Sequence, residues 1–116
     1  MLYWEDIHQT NADSGCIQHM NIGACKLQLR LPESNSLKFK RRIYSSISSR
    51  VRDRFNVSIA EVSSNDKYQI LTLGVSCVSN DPRHTNEILS KVIDYIQSSR
   101  LDAEIVDYST EIINGI

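Results

Sequence analysis

The sequence predicts an α+β domain in which four antiparallel strands form one sheet and two helices cover one of its faces. Two segments repeat apolar residues at helical spacing, and four segments alternate apolar and polar residues as half-buried strands do. Along the chain these segments follow in the order β-α-β-β-α-β, which is the ferredoxin-like arrangement. Because crossovers are right-handed, both helices are expected on the same face of the sheet.

The first strand is predicted from Ile22 to Leu31, and Pro32 ends it. Its apolar face consists of Cys25, Leu27, Leu29 and Leu31. The first helix is predicted from Ser36 to Phe55, because Ser36 is a good N-cap and Asn56 tolerates the conformation that ends a helix. The core face predicted for this helix consists of Phe39, Ile43, Tyr44, Ile47, Val51 and Phe55.

The remaining elements are predicted by the same patterns. Strands from Val57 to Val62 and from about Tyr68 to Ser79 form a hairpin, whose apolar face in the second strand is Leu71, Leu73, Val75 and Cys77. Asp81 caps the second helix and Pro82 opens it. Its apolar residues are Ile88, Leu89, Val92, Ile93 and Ile96. The last strand is predicted from Ala103 to Ile113, with Val106, Tyr108 and Ile112 on one face and Ile105, Asp107, Ser109 and Glu111 on the other.

One folded domain accounts for most of the chain. The 116 residues, 41% hydrophobic and 23% charged, are typical of one soluble domain. Residues 20–116 are interpreted as that domain. Residues 1–19 show neither helical nor strand periodicity, and they hold three acidic residues but no Lys or Arg. We therefore interpret them as a flexible N-terminal extension. Docking of Tyr3 and Trp4 onto the domain is the alternative.

Cysteine usage and hydropathy predict a cytosolic protein without a metal or other cofactor. The three cysteines form no CxxC pair, which is evidence against a structural zinc site or a thioredoxin-type motif. Cys25 and Cys77 fall in apolar strand patterns, as buried thiols do in a reducing compartment. No apolar run approaches the roughly 20 residues of a membrane span, and the N-terminus lacks the features of a signal peptide.

The sequence contains three distinctive segments: Ser36–Arg42 (SLKFKRR), Arg54–Val62 (RFNVSIAEV) and Gly74–Asp81 (GVSCVSND). Together they resemble the YlxP family of bacterial proteins, a family of unknown function. The resemblance covers residues 20 to about 113; Phe39, where an acidic residue is usual, and Pro82 depart from the family pattern. It implies a small ferredoxin-like protein without an agreed catalytic activity. Family members are often encoded beside transcription-elongation, translation-initiation and ribosome-maturation factors, so the resemblance implies work on RNA or the ribosome.

The first helix holds the only concentrated charge, with seven of the thirteen Lys and Arg residues against Asp53 alone. Helix stability does not explain the cations near its start, because the helix dipole disfavours them there. The candidate nucleic-acid-binding residues on the face opposite the core are Lys38, Arg41, Arg42, Ser45, Ser49 and Arg52. Such a face suits the phosphates of RNA or of a ribosomal particle. The alternatives are a solvated helix face and a surface for an acidic protein partner.

The open face of the sheet is the second candidate. Its predicted residues are Lys26, Gln28, Arg30, Thr72, Ser76, Asp107 and Glu111. They include no aromatic platform on which RNA bases would stack. Because the fourth strand pairs with the first, Asp107 and Glu111 are expected near Lys26 and Arg30 and can compensate them. We interpret this face as a partly polar surface for a homodimer.

The start of the second helix is the third candidate, because a helix N-terminus can hold an anion and His84 can titrate near neutrality. We favour a capped helix with surface side chains at Asn80, Asp81, Arg83 and His84. An acylphosphatase-like enzyme would need a glycine-rich phosphate loop after the first strand, but residues 31–35 (LPESN) hold no glycine. No catalytic constellation is evident, so the sequence predicts a domain that is not an enzyme.

Overall fold

Four strands and two helices follow one another in the predicted order. The computed structural model describes residues 20–63, 66–99, 102–114 and 116, so the predicted extension at residues 1–19 lies outside the described residues. The elements are β1 (Asn21–Arg30), α1 (Leu37–Arg54), β2 (Ser58–Ser63), β3 (Ile70–Ser79), α2 (Pro82–Ser99) and β4 (Glu104–Ile113). The sheet is antiparallel with the order β2-β3-β1-β4, which confirms the predicted ferredoxin-like fold.

The core lies between one face of this sheet and the two helices. Leucines from the two central strands meet in register there, Leu27 opposite Leu73 and Leu29 opposite Leu71, and all four are fully buried. Helix α1 packs over β2, whereas α2 packs over β1, β3 and β4. The predicted apolar faces of β1 and β3 are therefore confirmed, because their alternating apolar residues belong to the buried core.

Helix α1 begins as the sequence predicts. The Ser36 side chain accepts a hydrogen bond of 3.1 Å from the Phe39 amide and so satisfies one of the free N–H groups of the first turn. Within the predicted core face, Ile43, Ile47 and Val51 are buried. The helix ends at Arg54, and Phe55 is extended with φ −129° and ψ 144°, so the chain leaves the helix without a left-handed residue at that position.

Helix α2 lies unusually close to β1. Pro82 is its first residue, and the Asp81 carboxylate accepts a hydrogen bond of 2.9 Å from the Arg83 amide, as the predicted cap requires. Close approach is possible at Gly23, where a Cβ atom would overlap the methyl group of Thr85 and touch Leu89. Thr85 itself is fully buried, so glycine at this position sets the distance between helix and sheet.

The prediction for β4 is wrong at Ile105, which was placed on the open face with Asp107. Ile105 lies opposite Leu29, whereas Asp107 lies opposite Gln28, so Val106 is an extra residue in β4. This β-bulge reverses the alternation on its N-terminal side, because two residues of one strand face one of its neighbour. Ile105 therefore packs against the core, and Val106 stays half exposed.

Candidate nucleic-acid interface

The six candidate residues of α1 form one continuous surface, here called the basic stripe: Lys38, Arg41, Arg42, Ser45, Ser49 and Arg52. All six are exposed. At about 100° per residue they fall within an arc of roughly 100°, and at 1.5 Å per residue they extend over about 21 Å. The residues at the centre of the opposite arc are the buried Ile43, Ile47 and Val51. The core face thus fixes the direction in which the basic stripe points.

The cations of the basic stripe have no carboxylate partner within the described parts of the chain. Ion pairs shorter than 4.0 Å join Lys40 to Glu61, Arg83 to Asp81 and Lys91 to Glu87. None of these pairs includes a residue of the basic stripe. Asp53, the one acidic residue of α1, is exposed and makes no such pair either. Four positive charges therefore lie along one side of α1 without an ion-pair partner in the described residues.

Two arginines of the basic stripe are held in place by uncharged groups. The Arg52 guanidinium donates a hydrogen bond of 3.1 Å to the Ile59 carbonyl of β2. The Arg42 guanidinium lies 5.6 Å from the centre of the Phe39 ring, a cation–π contact. An acidic residue at position 39 would neutralise Arg42 one helical turn away. Phe39 instead orients Arg42 and leaves its charge available.

The basic cluster of α1 is smaller than its sequence indicates, because Lys40 is buried. Only 2% of its surface is exposed, and its ammonium group lies 3.0 Å from a carboxylate oxygen of Glu61. It also donates to the carbonyls of Lys67, at 2.8 Å, and of Ile70, at 3.1 Å. The sequence left Asp53 as the only local acidic partner for this cluster, but Lys40 pairs with Glu61, which belongs to another element. Helical spacing contained the signal, since Lys40 lies three residues before Ile43 and seven before Ile47.

Arg54, at the end of α1, also lies outside the basic stripe. Its guanidinium stacks 4.7 Å from the centre of the Tyr95 ring in α2, and the Phe55 ring meets the same tyrosine edge-on at 5.9 Å. This cation–π contact joins the end of α1 to the second helix. Arg54 therefore serves the packing of the two helices.

The N-terminus of α2 is occupied by its own cap. Besides accepting from the Arg83 amide, the Asp81 carboxylate lies 3.7 Å from the Arg83 guanidinium. Asn80, Arg83 and His84 are exposed. The Asp81 cap was predicted and is confirmed, and it places a carboxylate where an anionic ligand would otherwise bind.

The open face of the sheet differs from its prediction in two respects. Thr72 is buried, with 2% of its surface exposed, although it lies on this face opposite Gln28. Asp107 lies opposite Gln28 and Glu111 opposite Ala24, so each is diagonal to a cation of β1. No ion pair forms between these strands in the described residues. The two acidic residues of β4 therefore lie near the cations of β1, as predicted, but form no ion pair with them.

The two described cysteines are buried thiols. Burial raises the pKa of the Cys25 thiol to about 11 and also raises the pKa of Cys77, so both stay protonated near neutral pH. Across the described residues, no three His, Cys, Asp or Glu side chains are placed to hold a metal ion. Neither described helix combines the length and hydropathy that crossing a membrane requires.

Comparison with known proteins identifies relatives of unknown function. A family model described as "Protein of unknown function (DUF503)" matches residues 22–110. The uncharacterised protein YlxP of Bacillus subtilis (strain 168) is 34% identical over 77 residues, which cover 66% of this chain and 84% of that protein. Among solved structures, a C-terminal segment of the alpha subunit of aIF2 from Pyrococcus abyssi matches 97% of this chain with a TM-score of 0.46 and 11% identity. The chain spans 60% of that segment.

Proposed function

The chain belongs to the DUF503 family, and from its basic stripe we propose that it is a domain that binds structured RNA, free or within a ribonucleoprotein such as the ribosome. On this proposal the protein acts in the cytoplasm, in association with ribosomal particles, and performs no catalytic step of its own. The observation that supports it is the absence, in the described residues, of any carboxylate partner for four exposed cations that share one arc of α1.

The chemistry of the basic stripe suits phosphates at a defined spacing. Guanidinium groups bind phosphate oxygens through two parallel hydrogen bonds, and the hydroxyls of Ser45 and Ser49 can donate between them. The contacts already made by Arg42 and Arg52 reduce the side-chain entropy lost on binding. Structured RNA presents its backbone and shape, so a rigid helix face is an appropriate surface for it.

The attraction is local, because the whole chain has a net charge of −1. Long-range attraction to RNA is therefore weak, and affinity depends on contacts at the basic stripe. Each phosphate contact contributes about 0.7 to 0.9 to the slope of log affinity against log salt. With four cations we expect a slope of about −2 to −4. A steeper slope would require cations outside the basic stripe.

The first experiment measures binding to ribosomal RNA from which proteins have been removed, over about 50 to 200 mM salt. We expect the double variant Arg41→Glu/Arg42→Glu to bind at least about tenfold more weakly, because two phosphate contacts become repulsions. The matched control is Arg83→Glu/Lys91→Glu, which changes the charge equally at exposed positions of α2. This control is expected to retain the affinity of the unmodified protein.

Two outcomes would contradict RNA binding. The first is equal affinity of both double variants for the stripped RNA, which would show that the basic stripe makes no contact. The second is no binding to the RNA together with stoichiometric binding to one acidic protein that Arg41→Glu/Arg42→Glu abolishes. That result would assign the same surface to a protein partner. Sedimentation with ribosomal subunits at low salt, lost at high salt, would extend the proposal to the intact particle.

A further inference from the structure

The sheet face turned away from the helices carries an exposed apolar patch at one end. Ile22 of β1 lies between Val78 of β3 and Ile113 of β4, so three neighbouring strands form one apolar row. Val78 is 62% exposed and Ile113 is 46% exposed. Met20 and Ile116, joined by two backbone hydrogen bonds of 3.0 and 3.2 Å, form the next pair beyond this row and are also exposed. These five residues are here called the apolar end patch.

The alternation of β1 fixes the direction of this patch. Gly23 faces α2, because a Cβ atom there would meet Thr85 and Leu89. Its neighbour Ile22 therefore points to the open side, as do the residues opposite it. Contiguous exposed apolar surface of this kind marks a protein–protein contact in a domain that has buried its other apolar residues. The patch has no function in the core or in the basic stripe.

Beyond the apolar end patch, the same face carries exposed charges of both signs. Lys26 and Arg30 belong to the central strand β1, and Asp107 and Glu111 belong to the edge strand β4. In the described residues none of the four forms an ion pair. Two copies of such a face, one reversed relative to the other, can place the cations of each copy near the anions of the other.

We propose that this open face binds a second copy of the chain, sheet against sheet, to form a symmetric homodimer. A two-fold axis that runs along the strands keeps the two apolar end patches together and reverses the strand order across the interface. When that axis passes over β1, the three long strands overlap: β1 faces its own copy, and β3 of each protomer faces β4 of its partner. Val78 of each copy then lies across from Ile113 of the other, and Lys26 and Arg30 lie beside the strand that carries Asp107 and Glu111 in the other. Aligned packing of this type is the usual way in which two antiparallel sheets meet.

The size of the face is adequate for such a dimer. Strands β1, β3 and β4 each contain ten residues. At about 3.4 Å per residue and 4.8 Å between strands, the three strands that overlap have a plan area of roughly 500 Å². Standard stable interfaces bury about 800 Å² per partner, and the accessible surface of a side-chain layer exceeds its plan area. The dimer also leaves the basic stripe free, because α1 lies on the other side of the sheet, so this inference does not rest on the proposed function.

Light scattering coupled to size-exclusion chromatography of the full chain tests the dimer. The unmodified protein is expected at twice its chain mass of 13.2 kDa. Val78→Lys places a charge in the apolar end patch and should weaken dimerisation at least about tenfold, without affecting the core, because Val78 is exposed. The matched control is Tyr108→Lys, which is equally exposed but lies opposite Leu27 on the helix side of β4. This control should remain dimeric.

A charge reversal tests the register of the interface. Lys26→Glu alone should weaken the dimer, because it adds a carboxylate beside the partner strand that already carries two. Lys26→Glu/Glu111→Lys should recover dimerisation, since the pair is restored between protomers. The proposal is overturned by a monomer at the highest soluble concentration. It is also overturned by a dimer that Val78→Lys leaves intact, which would indicate pairing through another surface such as the free edge of β4.

Discussion

Lys40 shows how one buried charge can join a helix to a hairpin. Glu61 lies opposite Leu73 and therefore on the helix side of the sheet, where it reaches the Lys40 ammonium group. The same group donates to carbonyls on both sides of the turn that enters β3. One oxygen of Glu61 is buried and accepts no hydrogen bond of good geometry in the described structure, so the ion pair is its main compensation.

Replacing Lys40 by methionine should destabilise the protein by about 2 to 4 kcal/mol. The side-chain volume is retained, but the carboxylate of Glu61 and two carbonyls lose their donor. Urea unfolding measures the change. The matched control is Lys38→Met at an exposed position of the same helix, which should change stability by less than about 0.5 kcal/mol. If the two variants were equally stable, the Lys40 contacts would contribute nothing to the fold.

Apart from Arg50, which is exposed beside the basic stripe, the remaining cations of α1 differ in the same way, residue by residue. Arg54 stacks on Tyr95 and serves helix packing. Arg42 and Arg52 are oriented by a ring and a carbonyl but keep their charge exposed. Lys38 and Arg41 are exposed and make no ion pair in the described residues. The basic residues of α1 therefore fall into two sets. One set holds the fold together, and the other remains available to bind phosphate.

Among the elements, the contact between β1 and α2 depends most on one position. Gly23 lies directly beneath Thr85 and Leu89, and the Cys77 sulfur is also close. Thr85 is held from its other side, because its hydroxyl donates a hydrogen bond of 3.1 Å to the Asp81 carbonyl. The start of α2 thus has little freedom to move away from the sheet.

Gly23→Ala should cost about 1 to 3 kcal/mol of stability, because the added methyl group overlaps buried atoms. Thermal or urea unfolding gives the value. The diagnostic variant is Gly23→Ala/Thr85→Ser, which removes the methyl group that the new Cβ meets and should recover part of the loss. A double variant no more stable than Gly23→Ala would show that the cost arises from the backbone of β1 and not from contact with α2.

At the scale of the whole molecule, the sheet separates two surfaces of different chemistry. The basic stripe lies on the outer side of the helical layer, and the apolar end patch lies on the open face of the sheet. The core between them is closely packed, with its central leucines fully buried. Each surface can therefore be occupied without covering the other.

We expect the two surfaces to act independently. Arg41→Glu/Arg42→Glu should leave the dimer mass unchanged, and Val78→Lys should change the affinity of each protomer for RNA by less than about threefold, because distant sites contribute additively. Light scattering and RNA binding on the same preparations give both values. If Val78→Lys abolished RNA binding while the monomer stayed folded, binding would require both protomers and the RNA site would extend across the dimer.

The sequence determined the order of the elements, the cap at Ser36 and the outward direction of the basic stripe. These features depend on spacing within one helix or strand, where the period of the backbone decides which side chains share a face. The tertiary structure alone decided that Glu61 reaches Lys40, that Ile105 turns inward at a bulge, and that Val78, Ile22 and Ile113 form one row. Those facts depend on how segments far apart in the chain are aligned with one another. The spacing of residues within one segment does not reveal that alignment.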